Sequence, residues 1–143
     1  AEKLNVSLEE LDMIIEKHSP IPTTETDIRF TEVLAQHAII NAVNRHAGVL
    51  RHLYGPGGKK TVAEGKDLTG IKYIIGTGGA LTRLPSRISL MKEIPISNKG
   101  NKLLPTKEAR VLVDNNYIMA SLGVMARKYP EAALRLLKKS LNI

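Results

Sequence analysis

Gly76-Thr77-Gly78-Gly79 is the stretch of this chain whose residue types and spacing could do chemistry; the β-branched run Tyr73-Ile74-Ile75 precedes it and Ala80-Leu81-Thr82-Arg83-Leu84-Pro85 follows. Glycine lacks a Cβ and tolerates positive φ, so a turn of this kind lets backbone amides come close to a phosphate or a nucleoside. A helix opening directly afterwards would aim unpaired N–H groups and the positive end of its dipole at the same spot. The chemistry indicated is nucleotide binding. The same residues also suit a tight connection packed against its own sheet with no ligand, and the glycine pattern alone does not separate the two. Asp114 adds weight to the first reading. It ends the apolar run Arg110-Val111-Leu112-Val113, and if the two runs are neighbouring parallel strands it lies beside Gly78-Gly79, where ligands collect at strand carboxyl ends.

Other clusters fit known chemistries poorly. Gly55-Pro56-Gly57-Gly58-Lys59-Lys60-Thr61 has the look of a P-loop, but Leu53 stands where a glycine is needed and Lys60 takes the place of the magnesium-holding Ser/Thr. A helix rather than a strand is also expected before it, so a helix C-cap followed by a basic turn is the reading. No pair among His18, His37, His46 and His52 is spaced at i+3 or i+4, and no carboxylate sits at ligand spacing among the last three. No metal is expected to bind. His37 reads as a core-edge residue, and His46 and His52 as partly exposed. The chain has no cysteine, which excludes disulfides, thiolate metal sites and cysteine nucleophiles. It also lacks a Gly-x-Ser-x-Gly elbow and a His-Glu-x-x-His pair. Asp67 and Asp114 are the two carboxylates beside expected strands, and Asp67 equally fits a turn or cap.

A length of 143 residues with 43% hydrophobic content fits one globular domain with its own core. No run approaches the roughly 18 apolar residues of a membrane span, and Ala1 to Leu4 lack a signal-peptide core, so a cytoplasmic location is expected. Net charge is +7, from 21 Lys+Arg against 14 Asp+Glu, but the basic residues fall singly or in pairs and no helix carries a basic stripe. Aromatics are few: Phe30, four tyrosines and no Trp. Nucleic acid is therefore not an expected partner. A missing acidic portion of a longer chain would also explain the excess.

The elements that must position the turn can be traced outward from it. Ser7-Leu8-Glu9-Glu10 is a capping-box pattern, and Leu8, Leu11, Ile14 and Ile15 give a first helix to about Lys17. Ser19-Pro20-Ile21-Pro22 ends it, dividing an arm (1–22) from a main body (23–143). Phe30, Leu34, His37, Ile40, Val43, Ala47, Leu50 and Tyr54 step by three or four, predicting one long helix that Gly55-Pro56-Gly57-Gly58 ends. Residues 60–63 and 71–75 read as strands, with a hairpin or β-arm as one way of joining them. Pro85 suits the first turn of a helix whose apolar face holds Ile88, Leu90 and Met91, and a loop covers Pro95 to Asn101. Residues 122–125 have no polar face and predict a buried helix. Pro130 to Leu141 predicts an amphipathic helix with Leu134, Leu137 and Leu141 inward. Strands alternating with helices imply a parallel or mixed sheet covered by helices.

Ile74 to Gly79 with Thr82-Arg83-Leu84-Pro85 resembles the adenosine-binding segment of the actin/Hsp70/sugar-kinase ATPase superfamily. Asp114 to Gly123 likewise resembles its closing strand-to-helix segment. More narrowly, four blocks are similar to the C-terminal part of the glutamate mutase accessory family called MutL or GlmL, unrelated to the mismatch-repair protein. These are Asn44-Arg45-His46-Ala47-Gly48, then Glu64-Gly65-Lys66-Asp67-Leu68-Thr69, then the Ile-Gly-Thr-Gly-Gly turn, and finally Asp114 to Met119 with Tyr129-Pro130-Glu131-Ala132-Ala133-Leu134.

The resemblance implies an α/β fold of the ribonuclease H-like, actin-like ATPase type, present as its C-terminal half. It also implies a factor that reactivates or chaperones an adenosylcobalamin-dependent mutase, with ATP/ADP and magnesium as cofactors of the whole protein and the mutase subunits as partners. Carried over residue by residue, Gly76, Thr77, Gly78 and Gly79 match the adenosine/α-phosphate turn, Arg83 the residue near adenine, and Asp114 the acidic position near the nucleotide. The element between Gly79 and Arg83 is one residue longer than in the Hsp70 pattern. The superfamily's two phosphate hairpins and catalytic acid belong to its N-terminal half, and no Asp-x-Gly-Thr-type strand occurs here. The chain is therefore expected to contribute no catalytic residue, to be inactive alone, and to self-associate through exposed strands or the arm. The competing class is a nucleotide-free interaction module with a basic docking face.

Overall fold

The Ser7 hydroxyl accepts the Glu10 amide (3.1 Å) while the Glu10 carboxylate accepts the Ser7 amide (2.8 Å), closing the capping box that starts helix α1, Leu8–Lys17. The computed structural model describes residues 4–98 and 100–143; Ala1 to Lys3 of the arm, and Lys99 in the loop read at 95–101, lie outside the described residues. No residue of α1 is buried, and Leu8 and Ile15 are exposed. Thr24 caps helix α2, Glu25–His46, by accepting the Asp27 amide.

The predicted long helix stops at His46. Residues 49–55 instead form strand β1, Val49–Gly55, paired antiparallel with β2, Gly58–Glu64, across Pro56-Gly57. The cause is tertiary and local at once. Gly48 crosses the backbone of Gly65 so closely that a Cβ there would meet the Glu64 carbonyl oxygen at 2.5 Å. The short connection then lets the next segment return as a hairpin partner. Gly55-Pro56-Gly57-Gly58 is thus a hairpin turn, not a helix cap, and a strand does precede it; the return as β2 rather than a helix still excludes a P-loop. The hairpin pairs β1 with β2, not the two strands between which it was expected.

Strand β3, Tyr73–Gly76, pairs in parallel with β4, Arg110–Val113, through helices α3, Gly79–Arg83, and α4, Arg87–Lys92, and a 3-10 turn at Pro95–Ser97. Pro85 sits between α3 and α4 rather than in a first helical turn. The core gathers Met91, Ile94 and Val113, with Ile39, Val43, Ile74, Leu81 and Val111 packed against them. Leu90 and Met91 face inward, while Ile88 is exposed. Helix α5, Met119–Met125, is not buried as predicted: Leu122 is covered but Val124 is exposed. In α6, Pro130–Leu141, the inward stripe is Ala133, Ser140 and Leu141, with Leu134 turned outward. His37 is exposed rather than at the core edge. The architecture is a mixed α/β arrangement in which the parallel pair β3–β4 is a partial sheet flanked by helices and the β1–β2 hairpin is a separate two-stranded sheet. Among the described residues, no helix is long and apolar enough to cross a membrane.

Candidate functional site

Parallel pairing of β3 with β4 joins two segments far apart in sequence. Beyond the last registered pair, Gly76 with Val113, the Asp114 amide donates to the Gly76 carbonyl at 2.9 Å. The Thr77 hydroxyl then donates to Asp114 Oδ2 at 3.0 Å. Gly76, Thr77 and Asp114 form one hydrogen-bonded unit.

Asp114 has no solvent exposure. Its Oδ1 accepts from Ser140 Oγ (2.5 Å) and the Ile118 amide (3.2 Å), and its Oδ2 accepts from the Met119 amide (2.8 Å) as well as from Thr77. Burial is the largest single influence and pushes the carboxyl up. The donors Ser140, Met119, Ile118 and Thr77 together outweigh it and hold the group below its ordinary value of 3.8. Asp114 is therefore an ionised hub that fixes the loop after β4 and orients Thr77.

Ser140, which the sequence reading missed, completes the hub from the last turn of α6. Its carbonyl accepts from the Asn115 amide (3.1 Å) and side chain (2.9 Å), and its Oγ accepts from the Asn116 amide (3.1 Å). The available signal was positional. Ser140 adjoins Leu141 on the inward stripe, where a buried hydroxyl must find partners.

The four motif residues divide into a packed half and an open half. Gly76 is buried, and a Cβ there would lie 2.5 Å from Met91 Sδ. Gly78 adopts φ 90° as the N-cap of α3, a conformation that strains other residues. Apart from the adjoining residues and the backbone of α3 itself, nothing lies within 4 Å of a Cβ built on Gly78 or Gly79. The space above them is free. Helix α3 is only 5 residues long, so the dipole expected from the sequence is weak there. Thr82 folds back to donate its hydroxyl to the Gly78 carbonyl at 2.9 Å. Arg83 is exposed, and with Gly79, Ala80 and Pro20-Ile21-Pro22 it lines a pocket of about 190 Å³. Gly79 and Arg83 thus meet at the pocket, whereas the Asp114 carboxylate is turned into the protein.

The remaining sequence blocks have structural reasons. Ala47 bridges to Lys66 and the Gly48 amide donates to the Lys66 carbonyl at 2.6 Å, so the blocks at 44–48 and 64–69 are the two sides of one chain crossing. Asp67 is a turn residue. Its Oδ1 accepts the Thr69 hydroxyl (2.6 Å) and amide (2.9 Å), and these bonds, the hydroxyl's first, hold its carboxyl below the ordinary range. An apolar cavity of about 460 Å³ lined by Val43, Leu68, Ile71, Ile74 and Ile94 shares no residue with the glycine turn. No group of three or more His, Asp or Glu able to hold a metal occurs among the described residues.

A family model described as MutL protein matches residues 2–141. This chain belongs to the MutL family. Protein MutL of Clostridium tetanomorphum is 33% identical to it over 121 residues, an alignment that covers 85% of the chain and 26% of that protein. The chain thus spans about a quarter of the curated MutL relative it matches. No solved structure matches it. All four sequence blocks, and with them Gly76 to Gly79, Arg83 and Asp114, fall inside the span matched by the MutL model.

Proposed function

We propose that this chain is the C-terminal portion of an actin-like ATPase factor that reactivates an adenosylcobalamin-dependent mutase of the glutamate mutase type, contributing the adenosine side of its nucleotide site. The observation that carries this reading is the free space over Gly78-Gly79 beside the Arg83 pocket. Crowding explains Gly76 and the positive φ explains Gly78, whereas Gly79 has open space beside it with neither requirement and lines the same pocket as Arg83. The residues fit the nucleoside part of ATP or ADP. They fit the magnesium-triphosphate part less well, because Thr77, Ile118, Met119 and Ser140 already donate four hydrogen bonds to the Asp114 carboxylate. Those contacts would belong to the rest of the protein. Bound nucleotide would supply a free-energy difference between two conformations, which requires unequal affinity for them. Here Gly78 and Gly79 would admit the ribose and α-phosphate, Arg83 would contact the base, and Asp114 would hold Thr77 in place.

Calorimetric titration of ADP into the chain, with amide chemical shifts recorded at Gly78, tests the reading. The expected result is saturable binding that moves Gly78. Gly79→Val should weaken that binding at least about tenfold, by filling the free space, while leaving the circular dichroism unchanged. Absence of both heat and shift would favour the nucleotide-free interaction module.

A further inference from the structure

The hairpin β1–β2 lies in solvent on both faces; of its residues only Val49 and Val62 are even partly covered. A two-stranded hairpin is marginal in water by itself. Its register places Val49, Arg51, Leu53, Lys60, Val62 and Glu64 on one face, and Leu50, His52, Tyr54, Thr61 and Ala63 on the other. Neither face is purely polar, so both are suited to being covered. The outer side of β1 is tied at its root, where the Leu50 amide donates to the Asn101 carbonyl at 2.7 Å and Val49 bridges to Lys102. β1 is therefore open only beyond Leu50, whereas the edge free along its whole length is that of β2. Alternate residues there turn N–H and C=O outward, and among the described residues no backbone bond links that edge to another element.

We propose that two copies of this chain associate by antiparallel pairing of β2 with β2, about a two-fold axis at Val62. Such an axis stands perpendicular to the sheet and keeps opposed residues on one face. Centred at Thr61, it would set Lys60 against Val62. Centred at Val62, it sets Lys60 of each copy against Glu64 of the other and brings the two Val62 side chains together. Glu64 already meets its own Arg51 at 2.5 Å, so each carboxylate would lie between two cations. Lys60 has no ion pair among the described residues. An edge lysine normally discourages strand addition. Here it selects a partner strand with a carboxylate at the matching position, which this chain itself provides. The product is a four-stranded sheet in place of a lone hairpin.

Sedimentation equilibrium on the 143-residue chain, with Lys60→Glu and Glu64→Lys variants, tests this. The wild type should dimerise, and each variant alone should dissociate with a Kd raised at least about tenfold, because two like-charge pairs then face each other. An equimolar mixture of the two variants should dimerise again. The carboxylate introduced at position 60 of one copy then faces the ammonium introduced at position 64 of the other, and the unaltered Lys60 and Glu64 still face each other. A monomeric wild type overturns the proposal. So does a dimer indifferent to both substitutions, or a mixture that stays monomeric while each variant keeps its native circular dichroism.

Discussion

On the proposed reading, Asp114 is a site residue that acts without touching the ligand. Its depressed pKa makes it a source of stability that is fully present above the ordinary carboxylate value of 3.8 and lost as pH falls through the lower native value. Thermal melts of the wild type should therefore hold their midpoint down to about pH 4 and decline below it. Asp114→Asn places an amide among four donors and should cost roughly 2–3 kcal/mol at neutral pH, since hydrogen bonds to a charged group are the stronger kind. The decline attributable to this carboxyl should vanish in the variant. A variant as stable as the wild type, with the same acid limb, would sink this account. Asp114 was legible in the sequence as a strand-end carboxylate near the glycines, but its orientation was not. That depends on Ser140 and on the amides of Ile118 and Met119 at the start of α5, which no spacing in the chain announces.

At the scale of elements, local signals were readable where they are self-contained. Ser7 and Glu10 close a capping box within one turn, and Pro130 opens α6, so both helices follow from their own residues. Residues 49–55 misled because Leu50 and Tyr54 continue the helical step from Ala47, and periodicity cannot see that Gly58–Glu64 offers a partner strand. Residues 122–125 misled for the opposite reason: an apolar composition tells what could be buried, not whether a neighbour exists to bury it. Val124 remains 71% exposed. The uneven packing has a measurable result. Amides of α1, which has no buried residue, should exchange with solvent by local opening at least about a hundredfold faster than those of β4 and α6, whose protection should approach that of global unfolding. Uniform protection across these elements would contradict the packing described.

At the scale of the whole molecule, a parallel sheet is ordinarily covered on both faces, yet Tyr73 and Ile75 on β3 are 50% and 40% exposed. On the proposed reading, in which this chain is one part of a longer protein, the other part would cover that side and bring the phosphate-binding residues with it. The chain alone should accordingly show no magnesium-dependent ATP turnover in a coupled phosphate-release assay. Turnover that Gly79→Val abolishes would place the catalytic machinery within these residues after all. The seat of Ser140 near the end of α6 also sets an order in time. Asp114 emerges during synthesis 26 residues before the hydroxyl that clasps it, a delay on the order of a few seconds at typical elongation rates. Through that interval Thr77 and the glycine turn exist as nascent chain without their anchor, so the hydrogen-bonded unit around Asp114 is complete only once α6 has been made.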